Sequence, residues 1–330
     1  MEKNPDYWKA ETVAFLALQS IRGVGFKTLY KISAQKISFR ELMQIEDVEH
    51  FEKMLRQKLD DSIKASHESW MQFKLNLWNE GLELARRYLK KNIRVFFYDQ
   101  DLFPPQLRNI PEPPMWLFIE GNYLILHQPS VAIVGSRKST EDGLWLTKYI
   151  VAAMANQGLA SVSGLADGID QKVHTESIRF NVPTIAVLGT GIDRNYPSGS
   201  EHLRAQIVAN GGAIVTEYLI DQSYNAHNFI RRNRIQASLS QVTVPVEWRI
   251  NSGTAHTVNF TKDYGRFLVM LYLYQTDLEN AEIKAVKEYR FGRIFSIPEQ
   301  SGELIEFLKQ PEKSESLIPQ VEQGQISMDL

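Results

Sequence analysis

Residues 131–170 read VAIVGSRKSTEDGLWLTKYIVAAMANQGLASVSGLADGID. Val131 to Val134 is a short apolar, β-branched run that stops at Gly135, Ser136 and Arg137. Residues 140–156 then carry apolar residues at helical spacing, and Leu159 to Val162 is a second short run that stops at Ser163 and Gly164. The order is strand, turn, helix, strand, turn. Both turns fall where a parallel sheet presents its strand ends, and open α/β sheets bind ligands there.

The same alternation continues along the chain. Strands are expected at 131–134, 159–162, 184–188, 213–216, 242–247 and 267–272, with helices at 140–157, 168–180, 199–210, 231–240, 253–264 and 276–289. A further strand at 294–297 and a helix at 301–309 follow. Such βαβ units imply a mostly parallel sheet covered on both faces, so the fold class is α/β. Residues 1–90 differ: they are rich in apolar residues at helical spacing and read as an all-helical region. Ile93 to Tyr98 and Trp116 to Glu120 look like strands, separated by a proline-rich stretch with Pro104, Pro105, Pro111, Pro113 and Pro114. The expected organisation is a small helical domain over 1–90, an α/β domain over 91–310 and a polar, disordered tail over 311–330.

Bulk composition narrows the function. The chain has 330 residues, 43% hydrophobic and 23% charged, with a formal net charge of −2. A globular, soluble protein follows, and any nucleic-acid site must be a local basic patch rather than a global field. There is no cysteine, which excludes disulfides and thiolate metal sites. The N-terminus has no apolar signal core and no run is long enough to span a membrane, so a cytoplasmic location is expected. His50, His67, His127, His174, His202, His227 and His256 are scattered, with no zinc-like spacing. No metal and no cofactor is expected.

Five turns offer groups for an anion. Gly135-Ser136-Arg137 combines a close-approach glycine, a helix start and a bidentate cation, which suits a phosphate; an ordinary βα turn with a surface arginine has the same sequence. Ser163, Gly164, Ala166 and Gly168 form the second turn, followed by Asp170 and His174 four residues apart on one helical face. That pair is either an acid/base couple or, as favoured here, a carboxylate fixing an imidazole that packs on the sheet. Gly189 to Pro197 is the third turn, in which Tyr196 either stacks on a base or packs. Phe229-Ile230-Arg231-Arg232-Asn233-Arg234 is the most basic point. With a helix opening at 231, its cations oppose the dipole, which argues for an anionic partner. Ser252-Gly253-Thr254 starts another helix and offers amides and hydroxyls, although N-capping explains it as well. The composite is an anion groove along one lip of a sheet. Two further features read as packing. Gly23-Val24-Gly25 is either a helix-hairpin-helix turn or, as favoured, a helical corner; Trp70, Phe73, Leu77 and Trp78 form a core stripe.

In combination, GSR, SGLADGID with His174, TIAVLGTGIDRNYP, RRNR and VEWRINSGTAHT resemble the DNA-processing protein A family (DprA, also called Smf) from about Val95 to Arg266. The lead-in FYDQDLFPPQLRNI and PPMWLFIEGN belongs to the match, and the helical start with its GVG turn is similar to that family's SAM-like domain. The resemblance implies an extended Rossmann-like fold and a non-enzymatic protein that binds single-stranded DNA. It also implies a homodimer that helps load a recombinase during natural transformation. By resemblance Gly135, Ser136 and Arg137 hold a phosphate beside Ser163, Gly164, Ala166 and Gly168. Arg231, Arg232, Asn233 and Arg234 line the same groove, Ser252, Gly253 and Thr254 close it, and Tyr196 and Phe229 stack on bases. The chain departs from the family pattern at Ile230, where proline is usual, at Val173, where alanine is usual, and over 273–300. A C-terminal winged helix is not evident. A nucleotide-ligand sensor on the same fold, in stress or antiphage defence, is the alternative. A nucleotide hydrolase using Asp170, His174 or Glu217 ranks third; the PGGxGTxxE signature of related hydrolases is absent.

Overall fold

The computed structural model of the protein describes residues 4–311. The tail expected to be disordered lies, apart from Pro311, outside the described residues. Six helices come first: α1 (Pro5–Ser20), α2 (Phe26–Ala34), α3 (Phe39–Gln44), α4 (Val48–Leu55), α5 (Asp61–Lys64) and α6 (His67–Lys90). Side chains close several of their starts. The Asn4 carboxamide accepts from the Tyr7 N–H, and Ser38 with Glu41 forms a capping box on α3.

Strands β1 (Ile93–Phe97) and β2 (Trp116–Gly121) lead into the alternating part. It runs β3 (Ser130–Gly135), α7 (Glu141–Met154), β4 (Ala160–Ser163), α8 (Ile169–Arg179), β5 (Thr184–Val187), α9 (Glu201–Ala209) and β6 (Ala213–Thr216). It continues with α10 (Ala226–Leu239), β7 (Val242–Val246), α11 (Gly253–Asp263), β8 (Phe267–Tyr272), α12 (Ala281–Lys287), β9 (Gly292–Ser296) and α13 (Ser301–Lys309). The nine strands form one sheet in the order β1-β2-β6-β5-β4-β3-β7-β8-β9. Pairings are parallel from β6 through β9, whereas β1–β2 and β2–β6 are antiparallel. The expected α/β class and parallel sheet hold, with element ends shifted by up to three residues as caps and fraying dictate. Two helices differ more. The last crossover helix is shorter than expected, and α10 opens five residues before Arg231, at Ala226, where Asn225 accepts from the Asn228 N–H.

The two-residue period of the strands sends alternate side chains to opposite faces. On β2, Trp116 and Phe118 face the helical layer, while Leu117 and Ile119 join the cluster beneath α10 with Ile235 and Leu239. On the helical side Phe15 is fully buried, with its ring 4.8 Å from Trp116, 5.0 Å from Phe39 and 5.8 Å from Phe118. One apolar cluster therefore runs from α1 through Trp70 and Leu77 of α6 to Leu188 and Ile214 at the sheet. The Trp70 stripe is core, as expected. The turn at Gly23 backs onto the Gln57 side chain within this layer. No helix among the described residues is long and apolar enough to cross a membrane.

His174 is sealed between α8 and the sheet, its Nδ1 paired with Thr184 Oγ1 at 2.8 Å. It is Thr184, not Asp170, that fixes the imidazole. Burial, reinforced by the Arg232 guanidinium, pushes its pKa down to about 3, so the ring is neutral. An unfolded chain binds a proton near pH 6.5, and the native chain does not until near pH 3. Stability is therefore present above pH 6.5 and lost as pH falls towards 3. Between pH 7.5 and pH 5 this one site should remove about 2 kcal/mol, visible as a lower urea midpoint, and His174→Asn should flatten that part of the profile. Phe15→Ala should cost about 3–5 kcal/mol. Because the cluster is shared, helix and sheet signals should melt in one lowered transition; two separate transitions would contradict that coupling.

Candidate nucleic-acid interface

The strand order reverses between β3 and β7, since β4, β5 and β6 follow on one side and β8 and β9 on the other. At such a reversal neighbouring loops diverge and leave a crevice at the strands' carboxyl ends. A cleft of about 600 Å³ lies there. Gly135, Ser136 and Arg137 enter it from β3, Ala166 and Asp170 from β4, and Glu247, Trp248 and Arg249 from β7. Phe229, Arg232, Asn233 and Gln236 of α10 form one wall, and Ser252, Gly253 and Thr254 at the start of α11 form another. Tyr196 and Tyr224 stand at the mouth.

Many of these polar side chains are spent on building the cleft. Ser136 Oγ accepts from the Lys138 N–H at 3.1 Å and donates to the Lys138 carbonyl at 2.8 Å. Thr254 Oγ1 donates to the Gly135 carbonyl at 3.1 Å, Ser252 Oγ donates to the Arg249 carbonyl at 2.6 Å, and Asn233 Nδ2 donates to the Gly253 carbonyl at 3.2 Å. Ser163 is fully buried and donates to the Ile133 carbonyl, so it ties β4 to β3 beneath the cleft. Gly168, at φ +79°, starts α8 where a side chain would strike the Ser136 and Arg137 carbonyls.

The three arginines of α10 part company, which corrects the expectation that they share the groove. Arg232 alone lines the cleft, and it is 4% exposed. Its Nη1 donates to the Gly164 carbonyl at 2.7 Å and to the Val187 carbonyl, and its Nε donates to Asn233 Oδ1 at 3.2 Å. Gly164 is glycine because a Cβ there would sit 2.5 Å from that guanidinium. Arg231 and Arg234 turn the other way and grip Glu217, at 3.4 Å and 2.5 Å. Arg231 also lies over the rings of Phe26 and Tyr30 in α2. All three sit in the second turn or beyond, so none of them opposes the helix dipole at its start. Glu217, 1% exposed, is an internal counter-ion and does not face the groove.

The groups considered for hydrolysis are likewise separated by role. Asp170 accepts from the Gly164 N–H at 3.1 Å on the cleft floor. Burial pushes its carboxyl up against the opposing pull of Arg232. His174 is enclosed with Thr184, and Glu217 is held by two arginines. No group of three or more metal-ligating side chains occurs among the described residues.

What remains open to a ligand is a smaller set. Arg137 is exposed and forms no ion pair or hydrogen bond among the described residues; its guanidinium lies 5.7 Å from the Phe229 ring centre. Arg249, with its side chain 80% exposed, touches Glu282 only at 3.9 Å. No side chain among the described residues caps α11; the Ala255 N–H donates to the Ser252 carbonyl at 3.1 Å, which leaves the Gly253 and Thr254 amides for a ligand. Tyr196 lies 4.7 Å from both Tyr224 and Phe229, an aromatic trio at the mouth. Sequence reasoning missed Arg249 and several other lining residues, four of which bear on the site's chemistry or shape. Gln236 Nε2 and Trp248 Nε1 are buried donors without a partner among the described residues. Tyr224 completes the trio. Glu247, left-handed at φ 50°, reaches across from β7 and accepts from the Thr140 N–H at the start of α7, at 2.8 and 3.1 Å. Leu165, at φ 61°, is also left-handed at the end of β4. Such conformations cost about 1–2 kcal/mol each and gather at functional sites.

Comparison with known proteins gives a consistent answer. The family model described as DNA recombination-mediator protein A matches residues 94–288. Protein Smf of Escherichia coli (strain K12) is 36% identical over 168 residues, covering 51% of this chain and 45% of that protein. The DNA processing protein DprA of Streptococcus pneumoniae is 34% identical over 166 residues, covering 50% and 58%. The chain thus spans about half the length of the curated relatives it matches. The X-ray structure of DprA from Streptococcus pneumoniae shares the fold, with a TM-score of 0.61 and 23% identity over 92% of this chain and 99% of that one. So does DNA processing protein A from Helicobacter pylori, a protein with a described single-stranded DNA binding mode. There the TM-score is 0.56 at 24% identity, over 66% of this chain and 95% of that one. With its matched segment holding every lining residue of the cleft, the chain belongs to the DNA recombination-mediator protein A family.

Proposed function

We propose that the cleft binds single-stranded DNA and that the protein acts in DNA processing, as the names of its relatives describe. One observation carries this reading: Arg137, exposed and without a polar partner among the described residues, lies over Phe229 beside Tyr196 and Tyr224 at the crevice where the strand order reverses. A cation for the backbone next to faces for bases is the pairing that sequence-tolerant single-strand binding requires. Arg137 and the Gly253 and Thr254 amides of α11 take a phosphate, the aromatic trio takes bases, and Gln236 and Trp248 meet acceptors on the group that enters deepest. Arg232, Asn233, Ser252 and Thr254 act as the frame. In the wider reading the protein is cytoplasmic, works as a homodimer and delivers the strand to a recombinase.

Binding of a labelled oligonucleotide, followed by fluorescence anisotropy against salt, tests the proposal. Affinity should fall with salt and rise with strand length, and a mononucleotide should compete poorly. Arg137→Ala should weaken binding by about tenfold at low salt and lower the salt slope by about one, with the two proteins converging at high salt. No binding at low salt would falsify the reading. Arg231→Gln should leave affinity within about twofold, because that cation is already engaged by Glu217. Gln236→Leu keeps the bulk and removes the buried donor, and should cost about fivefold to tenfold in the same assay.

A further inference from the structure

We propose that the free edge of β1, with the trench beside it, takes an extended acidic peptide of a partner protein as an added strand. β1 is the outermost strand on its side of the sheet. Its pairing with β2 follows one register from Asn92 to Tyr98: the Gly121 N–H donates to the Asn92 carbonyl and the Tyr98 N–H to the Met115 carbonyl. In an antiparallel pair the bonded positions alternate, so residues 92, 94, 96 and 98 turn their backbone to β2. Ile93, Val95 and Phe97 turn theirs outward. Phe97 is already satisfied, since its N–H donates to Gln100 Oε1 and its carbonyl accepts from the Gln100 N–H. Ile93 and Val95 keep two donors and two acceptors aimed away from the sheet.

A cavity of about 880 Å³ runs along this edge. Both faces of β1 line it, Ile93 and Val95 from one and Arg94 and Phe96 from the other, so it lies beside the strand and not beneath it. Helices α1 and α6 form the apolar floor with Val13, Leu16 and Ala85. Leu89 and Leu102 remain 62% and 44% exposed at the rim. An added strand would continue the two faces of β1: alternate side chains enter the apolar trench, and the others come level with Arg94. Natural edges are normally blocked, and this one carries only its cations as protection.

Charge selects the occupant. Arg86 and Arg94 form no ion pair among the described residues, and Lys9 has only an exposed partner, Asp6, one turn away. Among the described residues Asp101 is the sole carboxylate lining the cavity. A strand with carboxylates at alternate positions fits this rim. A second copy of the chain fits poorly, because a twofold pairing of β1 with β1 centred on this stretch sets Arg94 against its own copy.

The test uses the full chain and three synthetic decapeptides: alternating valine and glutamate, alternating valine and lysine, and the first with a central proline. The glutamate peptide should bind at least tenfold tighter than either of the others, and it should slow amide exchange at Ile93 and Val95. Val95→Pro removes an outward donor without touching the β2 ladder and should weaken binding at least tenfold. Arg86→Glu with Arg94→Glu, both at exposed positions, should invert the preference between the two charged peptides. None of these changes should alter oligonucleotide binding. Equal binding of the three peptides, or protection arising away from residues 93–97, overturns the proposal. So does a dimer in sedimentation that Val95→Pro abolishes, which would make the occupant a second copy.

Discussion

A buried cation holds the cleft in shape. Arg232 gives up its water to sit at the ends of β4 and β5, where the Gly164 and Val187 carbonyls and the Asn233 side chain receive its protons. A guanidinium stays charged in a protein, so desolvation makes these acceptors obligatory. Its neighbours follow from that need. Gly164 leaves it space, Asp170 faces it from the start of α8 as a counter-charge, and Phe229 lies 6.0 Å from it. Removing the Asp170 carboxylate would leave the buried cation without its counter-charge, which costs more than the interaction itself contributes.

Seen from there, α10 is a beam with two working sides. Arg232, Asn233 and Gln236 serve the cleft, while Arg231 and Arg234 clasp Glu217 towards the helical layer. The rings of Phe26 and Tyr30 lie against Arg231, and Tyr30 donates to the Pro113 carbonyl. Residues of α2, far upstream of α10 in the sequence, thus bear on the same helix that shapes the ligand site. The large shared cluster around Phe15 and Trp116 gives that contact a rigid base.

Much of this was legible beforehand because it is local. Short β-branched runs, glycine at their ends and helical spacing between them mark the strand ends wherever parallel strands are joined by helices. The crevice lip from Gly135, Ala166, Ser252 and Thr254 follows from that alone. The polar opening Ala226-His227-Asn228 hid the start of α10, since only the Asn225 cap signals it. The arginine cluster misled for a different reason. Its partner Glu217 lies on a separate element, and a run of charge in sequence does not tell which members face water and which face an internal carboxylate. Gln236 and Trp248 look like ordinary filling of an apolar pattern. What distinguishes them is a missing hydrogen bond, a property only the packed structure has.

Glu247 has one more consequence. It stands on the β7 side of the crevice and bonds to an amide that begins the helix after β3. Backbone pairing fixes the two strands as far as Gly135 and Val246, and beyond that point the Glu247 carboxylate ties the lip after β7 to the start of α7. A lineage adapting this pocket to a bulkier guest need not redraw the sheet, because a change in that single strut resets how far the two lips stand apart.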